Sequence, residues 1–114
     1  MRRIIRNKCQ VEVRLVSSEI YEENGVLIVK GKDVVNVASA LSSETRLKIL
    51  EFLRGKEADI GQVADFIKQS KANASAQMRI LEKYHLVKTM YKPGIRGVKK
   101  VCTTDIKEVR LILE

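Results

Sequence analysis

Acidic residues are missing from one stretch of the chain, 88–103, which carries five bases and no Asp or Glu. Other shortages run through the whole sequence: no tryptophan, one proline, one histidine, two cysteines and 4% aromatic residues among 114. With one histidine, no Gly-x-Ser-x-Gly and no Walker-type loop, nothing forms a nucleophile–base pair or a phosphate cradle. No catalytic residue, enzymatic activity or cofactor is therefore expected. Cys9 and Cys102 lie near opposite ends of the chain without a C-x-x-C spacing, which argues against a disulfide framework or a thiolate metal site. Buried, unreactive thiols are the simpler expectation; a redox pair of Cys9 and Cys102 is the alternative, should the terminal strands approach residue 102. No apolar run approaches the roughly 18 residues of a membrane span, and only Ile4 and Ile5 separate Arg3 from Arg6, so no signal-peptide core is present. The expectation is a cytoplasmic protein with no membrane partner.

What is present is charge of one sign. Lys and Arg number 22 against 14 acids, a net charge of +8. Such a balance calls for an anionic partner, nucleic acid ahead of membrane. The excess is local: residues 1–33 hold seven bases and five acids and 34–87 hold eight and six, so 88–103 stands apart. The length fits one domain with a short appendage.

The first third reads as strands. Val11, Val13 and Leu15 alternate with polar neighbours over 10–16, and VLIVK at 26–30 is a second β-rich run. Asn24-Gly25 between them tolerates positive φ and fits a hairpin or bulged turn. From Asp33 the period changes to that of helices. Val34, Val35, Ala38 and Leu41 share one face; Ser42 or Ser43 caps a second helix, whose Leu47, Leu50 and Leu53, widened by Ile49 and Phe52, make a buried stripe. Gly55 suits the residue past its end. Asp59 caps a third helix with Ile60, Val63, Ala64 and Ile67 inward, and Ser70 caps a fourth with Ala74, Met78 and Leu81 inward. Two helices joined by about three residues form a helix-turn-helix. Beyond Leu86-Val87, VKTMY and VKKVCT flank KPGIRG and read as a hairpin with a basic tip. The stretch 106–113 is a strand or a short helix, with Val109, Leu111 and Leu113 favouring the strand.

Three helices and a basic hairpin outline an α+β, mainly α, winged helix-turn-helix with a β-hairpin wing and additional terminal β-strands. The expected domains are an N-terminal β-hairpin extension at 1–32, the winged helix at 33–103, and a C-terminal strand or short helix at 104–114 packing with the extension. Counting about 100° per residue from Lys71, the inward residues centre near 310°, while Ala72, Ser75, Ala76, Arg79 and Lys83 fall between about 40° and 140°. That outward side is slim. Its hydroxyl, methyls and Arg suit base edges or, for Arg, guanine or phosphate, in a groove that bulky side chains would not enter. In the hairpin, Lys88, Lys92, Arg96, Lys99 and Lys100 have no acid within their own stretch, and Arg96 stands at the tip, where it can enter a narrow minor groove. The plain alternative in both places is a solvated face of good helix formers or of charge.

ALSSETRLKILEFL, followed by EADIGQVADFIKQSKANASAQMRILEKYHLV, resembles the ArsR-like (arsenical and metal responsive repressor) winged-helix family. The likeness lies in A-L-x-x-x-x-R-L-x-I-L, in the spacing of Ser75, Met78 and Leu81, and in Leu86-Val87, over about residues 38 to 103. It implies a homodimeric transcription regulator in which Lys71, Ala72, Asn73, Ser75, Ala76 and Arg79 face double-stranded DNA. Metal-sensing members carry Cys-Val-Cys in the third helix; here Asp59 and Gly61 stand at those places, so no metal ligand is expected. His85 stands where the family often has Gly, and its plain reading is a helix-ending residue near the left-handed region. Candidate dimer contacts are Val11, Val13, Val34, Val35, Val37 and Leu111. The reading is a sequence-specific DNA-binding regulator, expected to be a repressor, with helix 71–84 in the major groove and wing 88–103 on the backbone or minor groove. The alternatives are a winged-helix protein-interaction module of a transcription complex and a ligand- or redox-responsive regulator of unknown effector.

Overall fold

A computed structural model describes residues 20–113, in the order β1 (Ile20–Glu23), β2 (Val26–Val29), α1 (Asp33–Leu41), α2 (Glu44–Leu53), α3 (Ile60–Ile67), α4 (Lys71–Lys83), β3 (Lys88–Gly94), β4 (Gly97–Thr103) and β5 (Glu108–Leu111). The strand expected at 10–16, with Val11 and Val13, and Cys9 lie outside the described residues. Those described form two compact units: one holds the residues up to Val35 together with those from Lys107, the other Asn36–Ile106.

In the first unit, Asn24 and Gly25 both take positive φ, +53° and +81°. That pair is what a two-residue turn between right-twisted strands requires, so β1 and β2 close as a hairpin. β5 adds in parallel to the other side of β2, placing Val109 opposite Leu27, and the stretch at 106–113 thus contributes a strand. Leu27 and Val29, two apart and on one face, are fully buried.

In the second unit local chemistry sets the helix ends. Ser43 Oγ accepts from Arg46 N at 3.3 Å and Ser70 Oγ from Asn73 N at 3.1 Å. Asp59 and Gln62 form a reciprocal capping box at 2.8 and 2.9 Å. At the end of α4, His85 takes φ +67°, with His85 N donating to Glu82 O at 3.1 Å and Leu86 N to Leu81 O at 2.9 Å. This left-handed ending redirects the chain into β3.

The α2 stripe lies elsewhere than the leucine spacing implies. Ile49 and Leu53 are fully buried and Leu50 half-buried, but Leu47 is 45% exposed. Five apolar residues in ten leave the centre of the face ambiguous; packing chose Ile49–Leu53 and put Leu47 and Phe52 at its two edges. Phe52 stacks on Phe66 with ring centroids 4.3 Å apart, and Lys56 Nζ sits 4.3 Å from its centroid. Val37 is likewise fully buried in the protomer, which removes it from the candidate dimer contacts, whereas Val35 is 72% exposed.

β3 and β4 pair antiparallel around the two-residue turn Ile95-Arg96. At Gly94 a Cβ would come within 3.2 Å of Gly97 O, so a side chain there would require the tip to give by a few tenths of an ångström. The base of the hairpin is fastened to the chain before α3: Ala58 and Cys102 exchange both backbone hydrogen bonds, at 3.0 and 2.8 Å, and Thr103 Oγ1 donates to Lys56 O at 2.8 Å.

Candidate nucleic-acid interface

Helix α4 turns Ala74, Met78 and Leu81 inward. Lys71, Ala72, Asn73, Ala76 and Arg79 are exposed, and Ser75 is half-buried. The exposed side thus carries two methyl-sized side chains between a cation at the helix start and another two turns on. Gln77 accepts from Arg46, whose guanidinium donates at 2.7 Å to Gln77 Oε1, at 2.6 Å to Ala40 O and at 3.3 Å to Ser39 O. One arginine therefore fixes α4 to the end of α1. The sequence offered Arg46 only as a letter in the family motif.

The wing is less uniformly basic in space than in sequence. Cross-strand register sorts its side chains into two faces. Lys88, Lys92 and Lys99 fall on one, with Met90, Val101 and Thr103. Each of the three has an acid partner: Lys88 pairs with Asp105, Lys92 Nζ lies 2.6 Å from Glu57 and Lys99 Nζ 3.7 Å from Asp59. Thr89, Tyr91, Lys100 and Cys102 share the other face. Among the described residues, Lys71, Arg79, Arg96 and Lys100 form no ion pair. Two of these partners were hidden because Glu57 and Asp59 precede α3, far from the wing in sequence, whereas Asp105 lies just past the end of β4.

Between α4 and the Lys100 face lies a cleft, lined by Ser75, Arg79 and Glu82 from the helix and Thr89, Lys100 and Cys102 from the wing, over Met78. Cys102 is buried, and that burial pushes its thiol pKa up, against a weaker opposing effect of the Thr89 hydrogen bond. A thiol held protonated in this way is a poor nucleophile, which weighs against redox chemistry at residue 102. Among the described residues no group of three or more His, Cys, Asp or Glu is assembled for a metal, and no helix is long and apolar enough to cross a membrane.

The helix pair α3–α4, the preceding α2 and the hairpin beyond define a winged helix-turn-helix. Residues 43–89 match the family model described as bacterial regulatory protein, arsR family, and this segment is similar to that family. Solved structures agree. The homodimeric winged helix-turn-helix DNA-binding domain of a possible ArsR-family transcriptional regulator from Mycobacterium bovis is 25% identical with a TM-score of 0.55, the match covering 64% of each chain. That is just under two thirds of the relative's own length. Reduced HlyU from Vibrio cholerae is 25% identical over 63% of this chain and 72% of that one, with a TM-score of 0.54. NolR from Sinorhizobium fredii, 23% identical over 61% and 66% with a TM-score of 0.52, shares the fold. No curated protein sequence matches the chain.

Proposed function

We propose that the chain is a sequence-specific double-stranded DNA-binding transcriptional regulator, acting as a repressor and as a homodimer. Helix 71–84 enters the major groove and wing 88–103 lies along the backbone or in the minor groove. The observation that carries this reading is the outward side of α4: Ala72 and Ala76 exposed between Lys71 and Arg79, neither of which pairs with an acid among the described residues. A helix narrowed on one side and left with unpaired cations fits a groove roughly 12 Å wide. Arg96, in the turn of the wing, supplies the minor-groove contact. Dimerisation draws support from the Mycobacterium bovis domain, described as homodimeric, and from exposed apolar Val35 and Leu111, which a second copy can cover.

Selecting bound duplexes from random or genomic DNA tests the reading, and a promoter carrying the selected site should lose expression when the protein is supplied. Ala76→Trp should abolish preference for that site while melting as wild type does, because residue 76 faces solvent. Retained preference would refute the placement of α4.

One observation favours a second reading. Tyr91, Ile95 and Val98 leave exposed apolar surface along the wing, as a protein-interaction module would. Tight, salt-insensitive binding to a protein partner with negligible DNA affinity would establish it instead.

A further inference from the structure

The cations of the wing and of α4 are not equivalent. Lys88, Lys92 and Lys99 are spoken for by Asp105, Glu57 and Asp59, all on the wing face away from Tyr91 and Lys100. Lys100 is the lysine of β4 left without an acid partner among the described residues, and the cleft it lines is the one lined by Arg79. We propose that this cleft holds one phosphate of the DNA backbone between recognition helix and wing, with Arg79 and Lys100 as its two cations and the Ser75 hydroxyl as a third donor.

The proposal rests on the DNA-binding reading and sharpens it: Arg79 anchors the backbone, and base reading falls to the residues around Ala72 and Ala76. Two cations against Glu82 leave the cleft with a net positive charge, and the fork of an arginine beside the point charge of a lysine is a common way to hold phosphate. An apolar effector is a poor fit, since such ligands occupy mostly hydrophobic pockets and this lining is largely polar. A phosphate here would bridge α4 and β4, so that seating the wing and seating the helix become one event.

The test is DNA affinity against salt for Arg79→Gln, Lys100→Gln, the double variant and Lys92→Gln, on the selected duplex and on random duplex. Arg79→Gln and Lys100→Gln should each weaken both duplexes alike, by roughly tenfold per protomer, the scale of one charge-assisted contact. Because one phosphate is shared, the double variant should lose less than the product of the two. Its salt slope should fall by about 0.9 per protomer, about 1.8 for a dimer, rather than twice that. Lys92→Gln should change little. All the altered residues are exposed, so melting should be unaltered.

Loss of discrimination between duplexes in Arg79→Gln at an unchanged slope would make Arg79 a base reader and overturn the proposal, as would independent, multiplicative losses. Stabilisation of the DNA-free protein by millimolar inorganic phosphate, abolished in Lys100→Gln, would assign the cleft to a free anion and also overturn it. A folded wild type that binds no duplex would refute the DNA reading itself. Wild-type binding with both single variants unaffected would refute only the shared phosphate.

Discussion

Arg46 ties three helices together through one side chain. Its three hydrogen bonds reach two backbone carbonyls at the end of α1 and a side chain on α4, from a half-buried position on α2. A charged donor serving neutral acceptors contributes more than a neutral one, and removing it strands those acceptors part-way out of solvent. Arg46→Met should cost about 2 kcal/mol in chemical denaturation, allowing for the partial exposure of the site. Gln77→Ala, which frees one of the three bonds, should cost less than half as much. Equal costs would mean that the Gln77 contact dominates. At this scale the sequence was legible where the interaction is local. Asp59 and Ser70 were readable as caps, and Ser43 as one of two candidates with Ser42, because a cap and its N–H lie three residues apart. The acid partners of Lys92 and Lys99 were not, because nothing local marks residues 57 and 59 as neighbours of the wing.

At the scale of elements, Asp59 serves two structures at once. Its carboxylate caps α3 through Gln62 N at 2.8 Å, and it faces Lys99 of β4 at 3.7 Å. The two roles separate by substitution. Asn caps nearly as well as Asp but carries no charge, and an exposed ion pair at that distance adds at most a fraction of a kcal/mol. Thermal melts should therefore place Asp59→Asn close to wild type and Asp59→Ala about 1 kcal/mol below it. If both variants lose equally, the Lys99 pair is the stronger contact. α2 shows the limit of periodicity at this scale: apolar residues at 47, 49, 50, 52 and 53 cover so much of the helix that only packing decides which side is inward. α4 was easier to read, since its polar and small residues leave one inward side for Ala74, Met78 and Leu81. The hairpin of residues 20–29 was legible through Asn24-Gly25, whereas the parallel pairing of β5 with β2 depends on segments about 80 residues apart, beyond any local pattern.

For the whole molecule, the net charge of +8 overstates what is available to DNA. The sequence nominates seven contact bases per protomer, Lys71, Arg79, Lys88, Lys92, Arg96, Lys99 and Lys100. Pairing among the described residues occupies three of them and leaves Lys71, Arg79, Arg96 and Lys100. If Arg79 and Lys100 share a phosphate as proposed, each protomer makes three counterion-releasing contacts and a dimer six. The logarithm of affinity should then fall with the logarithm of salt at a slope of about −5, against about −13 if all fourteen bases of a dimer engaged phosphate. Between 50 and 200 mM salt the first case loses about three decades of affinity and the second nearly eight. A slope near −13 would mean that Glu57, Asp59 and Asp105 release their lysines to the DNA. In that event Glu57→Gln should leave the slope unchanged. If the smaller slope holds, Glu57→Gln should steepen it toward one further contact per protomer, since Lys92 would no longer be held by its own chain.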